Sequence, residues 1–194
     1  MTKALIKQST AAAFLLSLST PGFAHTGEHG VYDFVSGFTH PWLGVDHTLV
    51  MLALGICAAR WGAQLRWQLA LGFMVLMTLG ATAAAAGLQL ASAEFGVALS
   101  VVFMGVLLHR PTLKLTQGSM LLLAMFALLH GFVHVEDVTQ SENLVQYTLG
   151  FLTATALLQA LGLGLAFLGG KYLRSSMAWL CSCVGLLLLS GISL

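Results

Sequence analysis

Two short stretches of this sequence hold side chains able to bind a metal ion. The first is Thr39-His40-Pro41-Trp42-Leu43-Gly44-Val45-Asp46-His47-Thr48-Leu49-Val50-Met51. Pro41 suits a first helical position, which makes His40 the expected cap residue. At about 100° per residue, His40 and His47 nearly eclipse each other two turns apart, with Met51 one turn beyond His47. Asp46 is rotated by one residue, so it could ligate directly or orient an imidazole. The second stretch is His130-Gly131-Phe132-Val133-His134-Val135-Glu136-Asp137. His130 and His134 share a helix face at i, i+4, with Asp137 three residues on, the spacing by which one helix offers two imidazoles to one ion. Imidazole with carboxylate suits Ni(II), Co(II) or Zn(II), whereas Cu(I) prefers sulfur and an oxygen cage for Mg or Ca needs no histidine.

The elements that must position these groups are membrane helices. Of 194 residues 58% are hydrophobic and 8% charged, with mean hydropathy +0.90; an average soluble domain is roughly a quarter charged. The net charge of +1 provides no basic field, so nucleic acid is excluded as a partner and the lipid bilayer is the expected one. Residues 1–24 read as a signal peptide: Lys3 and Lys7, the short apolar stretch Ala11–Ser19, then Pro21-Gly22-Phe23-Ala24. The mature part, 25–194, holds six apolar runs near 41–59, 67–90, 95–108, 115–135, 144–168 and 177–194. The expected fold is an all-α bundle of six transmembrane helices. Stripes of small residues, Ala83-Gly87-Ala91 and Gly162-Ala166-Gly170, suit close helix packing. Cys57, Cys181 and Cys183 lie in apolar runs and read as small buried hydrophobes, Cys181 and Cys183 on nearly opposite helix sides.

After the signal, Arg60, Arg66, Arg110, Lys114, Lys171 and Arg174 fall in pairs in the first, third and fifth connections. The positive-inside rule makes those connections cytoplasmic and both mature termini periplasmic. The first run then enters from outside with His40, Asp46 and His47, and the fourth returns outward ending with His130 and His134. Both clusters fall in the outer half of the membrane, and Glu94 opens the third run on that side. One interfacial histidine often only caps a helix; two clusters at one depth favour metal coordination. Cleavage after Ala24 would leave His25 with a free amine, a ready chelate, with His29 nearby. His109 belongs with the basic connections, and Glu136 reads as a solvated acid.

These residues resemble the HupE/UreJ family of bacterial nickel/cobalt permeases. The resemblance rests on Ala24-His25, on His40-Pro41-x-x-Gly44-x-Asp46-His47-x-x-x-Met51-x-x-x-Gly55, and on Glu94-x-Gly96 with Ser100. It continues through Phe126-Ala127-x-x-His130-Gly131-x-x-His134 and Tyr147-x-x-Gly150-Phe151, and so spans nearly all of the mature chain. It implies a six-span protein of the inner membrane that takes up nickel for hydrogenase or urease maturation. Where the family's second block reads HGxAHGxE, Val135 replaces the glycine and Asp137 the glutamate, and a later family histidine stands as Gln159.

The expected function is import of a divalent transition metal, Ni2+ first, with Co2+ and Zn2+ as alternatives, and no catalytic cofactor. The expected ligand set is His40, Asp46, His47, His130 and His134, with Glu94 and Asp137 adding charge or orientation and His25 capturing the ion outside. No Walker-type sequence is present, and the membrane potential favours cation entry by about 2.3 kcal/mol per charge per 100 mV. Two rivals share the ligands: an intramembrane zinc hydrolase, which needs an open metal position and an acid to activate water, and a metal-binding accessory protein that moves no ion.

Overall fold

The computed structural model describes residues 33–110, 115–136 and 143–192. The signal segment 1–24, His25, His29 and Asp137 lie outside the described residues. Within them the chain is helical, without strands: α1 (Phe34–Leu43), α2 (Val45–Ala58), α3 (Ala63–Ala85), α4 (Ala93–His109), α5 (Gln117–Glu136) and α6 (Leu144–Leu189). α6 is broken at Gly170, whose φ of 57° and ψ of −146° no ordinary helical residue adopts. Its arms on either side of Gly170 correspond to the fifth and sixth apolar runs.

The first run is not one straight helix beginning at His40. Asp33 caps α1 instead: its carboxylate accepts the Ser36 amide at 2.8 Å and Ser36 Oγ accepts the Asp33 amide at 2.8 Å. The Ser36 amide holds the Asp33 carboxyl below its ordinary range, since it stabilises the charged form. Pro41 lies inside α1, where it withholds an amide from the ladder, and the helix stops two residues later. Gly44 is extended, and α1 and α2 meet there at 81°. Thr48 Oγ1 donates to the Pro41 carbonyl at 2.6 Å and closes the bend. His40 is therefore in the last turn of α1, not a cap, and does not share a helix face with His47.

The second run also shifts. α3 begins at Ala63 and ends at Ala85, and Gly87, with φ 86°, turns the chain out of it. Ala83-Gly87-Ala91 is therefore no continuous helical stripe; of the other, Gly162 meets the Leu52 backbone and Ala166 packs against the core, while Gly170 breaks the helix.

Helices α3, α5 and α6 are each long and apolar enough to cross a membrane; α1 and α2 pass together as a bent pair, and α4 is apolar but shorter. Their outward faces are apolar, with Trp67, Leu121, Val145 and Leu168 exposed. This is a membrane protein. α2 is the exception: every residue from Leu49 to Ala58 is buried, as befits a helix apolar on all sides and enclosed by others.

Paired glycines make the crossings close. A Cβ on Gly37 or Gly150 would strike the backbone of Tyr147 or Phe34, joining α1 to α6; Gly55 and Gly162 do the same for α2 and α6, and Gly80 and Gly131 for α3 and α5. Gly105 and Gly185 serve α4 and the second arm of α6. Lipid tails are as apolar as leucine, so such backbone approach, not hydrophobic drive, holds membrane helices together. α2 runs parallel to the first arm of α6, with His47 beside Phe151 and Met51 beside Gln159. α4 runs antiparallel to the second arm, with Val102 against Gly185 and His109 against Trp179. Arg60 ties two helix ends together by donating to the carbonyls of Cys57 (3.4 Å), Leu107 (3.2 Å) and Arg110 (3.2 Å).

Candidate metal centre

The bend at Gly44 and the glycine crossing of α3 and α5 bring four imidazoles into one cluster. The rings of His47 and His134 lie 3.8 Å apart between centroids, His47 and His130 4.6 Å, and His40 and His134 4.5 Å. His47 is at the middle. Phe151 packs on the His134 ring at 4.3 Å and lies 6.3 Å from those of His40 and His47; Phe73 lies 5.9 Å from His130. His47, His130 and His134 are buried, whereas His40 and Asp46 are part-exposed.

The hydrogen bonds determine which ring nitrogens remain open. Asp46 Oδ1 accepts from both the backbone amide and Nδ1 of His47, at 2.8 and 2.9 Å. His130 Nδ1 donates to the Phe126 carbonyl at 2.8 Å. Carboxylate and carbonyl oxygens only accept, so Nδ1 carries a proton in both rings, and in the neutral ring Nε2 presents a lone pair. Nε2 of His47, His130 and His134 are all buried with no hydrogen-bond partner. Leaving one such atom unsatisfied costs about 1–3 kcal/mol, so three in one cluster call for a water or an ion as partner. Among the described residues no group of three or more His, Cys, Asp or Glu side chains is arranged to hold a metal ion; the His47 and His134 rings are tilted against each other, and the His40–His134 and His47–His130 pairs meet edge to face. The gap beside His134, lined by Met77, Gly131, Tyr147 and Phe151, measures about 10 Å³, at the lower limit for one water.

Asp46, left open as ligand or orienting group, here orients His47. Glu94 sits exposed in the first turn of α4 and makes no hydrogen bond or ion pair to a described residue. Met51 is fully buried, and its Sδ accepts from Gln159 Nε2 at 3.8 Å. Cys57 and Cys181 are buried as expected, while Cys183 is exposed on the opposite side of its helix, against the reading of it as buried. His109 packs edge-on to Trp179 at the far end of α4. Sequence reasoning missed the aromatic wall of Phe73 and Phe151 and the Phe126 carbonyl; only the last had a local signal, lying four residues before His130 on the same helix.

The chain matches the family described as HupE / UreJ protein over residues 13–194. It is 33% identical over 165 residues to Protein HupE of Rhizobium leguminosarum bv. viciae, covering 84% of this chain and 86% of that protein. No solved structure matches it. With almost its full length aligned to them, the chain belongs to the HupE/UreJ family.

Proposed function

We propose that this protein is a permease of the bacterial inner membrane that imports a divalent transition metal ion, nickel first and cobalt or zinc next. The single observation that carries this reading is the set of three buried, unpartnered Nε2 atoms on His47, His130 and His134. His40 adjoins His134 and adds a fourth imidazole, and the part-exposed Asp46 keeps His47 in the tautomer that offers Nε2. Binding would turn the rings out of their present contacts to aim these nitrogens at one ion. Glu94, His25 and Asp137 would act earlier, as negative or chelating groups on the approach from the periplasm. The signal peptide, the six crossings and the periplasmic termini belong to the same proposal. The relative directions of α2, α4 and the arms of α6 suit it, since the first and fifth runs are parallel and the third and sixth antiparallel.

The aromatic walls and the water-sized gap imply that the ion sheds most of its water shell, which the imidazoles replace. Entry needs no nucleotide: a divalent ion gains about 4.6 kcal/mol per 100 mV of membrane potential, at about 2.3 per charge. The ion would then serve a hydrogenase or urease maturation system. The test is uptake into proteoliposomes with labelled nickel in competition with cobalt and zinc. Accumulation that His47→Ala abolishes is the expected result. Binding without accumulation would instead mark an accessory protein.

A further inference from the structure

One helical turn beyond the histidines, on the α2–α6 interface, lies a second polar cluster that the histidine site does not use. Phe151, Thr155 and Gln159 follow one another at four-residue spacing on the first arm of α6, all buried. This row runs beside His47, Met51 and Gly55 of α2. Phe151 adjoins His47, Gln159 Nε2 donates to Met51 Sδ at 3.8 Å, and Gly55 fits against the Gln159 carbonyl. Thr155 therefore sits between the histidines and Gln159.

Both Thr155 Oγ1 and Gln159 Oε1 are buried without a hydrogen-bond partner. For Thr155 this is a departure. Thr78, Thr82, Thr148 and Thr153 each donate to the carbonyl four residues back, at 2.7–2.9 Å, the ordinary way a hydroxyl is satisfied on an apolar helix. Thr155 has the same opportunity and forgoes it. Two buried oxygens left open one helical turn apart, the second on a side chain that meets a polarizable thioether, point to an occupant with positive charge.

We infer that Met51 Sδ, Thr155 Oγ1 and Gln159 Oε1 form a second station for the same divalent ion, one turn further from α1 than the histidines. The inference rests on the transport reading. Its donors are all neutral, so it binds weakly compared with imidazoles and a carboxylate. Weak binding is what a relay requires, because an ion must leave each site as readily as it enters. Gln159 would turn its amide oxygen toward the ion and give up the weak contact to Met51 Sδ.

The test uses the full-length protein in proteoliposomes, with nickel(II) alone as the probe. Thr155→Val with Gln159→Leu removes both oxygens with little change in volume. Expected are nickel binding at the histidines within about twofold of wild type and transport lowered roughly tenfold or more, the scale of losing a hydrogen-bond-strength contact to a charge. Gln159→Glu gives a readout that does not depend on the double variant folding. Its carboxylate should hold the ion, raising equilibrium-bound nickel by one ion per chain while slowing transport. Wild-type transport in the double variant, or unchanged bound nickel in Gln159→Glu, overturns the second station. His47→Ala is run in parallel: its uptake decides the histidine site separately, whatever the outcome for Thr155 and Gln159.

Discussion

His47 works at both of its nitrogens. Asp46 holds the Nδ1 proton and leaves the buried Nε2 of the neutral ring as the open acceptor. Asp46→Asn keeps an acceptor for Nδ1 but loses the charge that raises imidazole basicity. Partners of this kind are worth 10–100-fold in metal affinity, so isothermal titration of Asp46→Asn with nickel should show weakening of roughly that size. Affinity equal to wild type would mean that the carboxylate only caps α2. His130 is held through the Phe126 carbonyl, a backbone group that no substitution at Phe126 removes; its tautomer is accordingly the less sensitive of the two.

At the scale of elements, the bend at Gly44 and the paired glycines decide whether these residues meet. A straight first run would carry His40 and His47 along one face, whereas the 81° bend folds His40 back so that both rings reach His134 from different helices. Gly55 and Gly72 test the crossings against helix propensity. A Cβ at Gly55 strikes the Gln159 backbone, while one at Gly72 meets nothing within 4 Å. Gly55→Ala should cost about 1–3 kcal/mol from forced separation of α2 and α6, and Gly72→Ala should be neutral or stabilising by up to about 1 kcal/mol from propensity. Thermal melting followed by gel filtration in detergent checks both; equal midpoints would refute the close-crossing account.

For the whole molecule, the proposed function implies competition between protons and metal at one site. Imidazole ligates only when neutral, so uptake into proteoliposomes should fall as the outer pH drops below about 6. The sign is set by the ligand: a protonated ring has no lone pair on Nε2 and adds positive charge beside the cation. A profile that stays flat down to the lowest pH at which the protein remains folded would count against histidine ligation.

Much of this could be read from residue order alone. The i, i+4 spacing of His130 and His134, the apolar runs and the pairing of basic residues are local properties, dictated by 3.6-residue periodicity and the cost of charge in lipid. The bend was not legible, because Pro41 suits a first helical turn as well as the last turn of a short helix, and the capping by Asp33 decides between them. Nor was the solitude of Thr155 and Gln159, since an unpaired buried oxygen is defined by every neighbour that fails to reach it. Residue order marked which groups could bind an ion and which apolar runs carry them; three-dimensional packing alone decided how those runs break into helices and which ring nitrogens are left without a partner, because that depends on contacts between segments far apart in the chain.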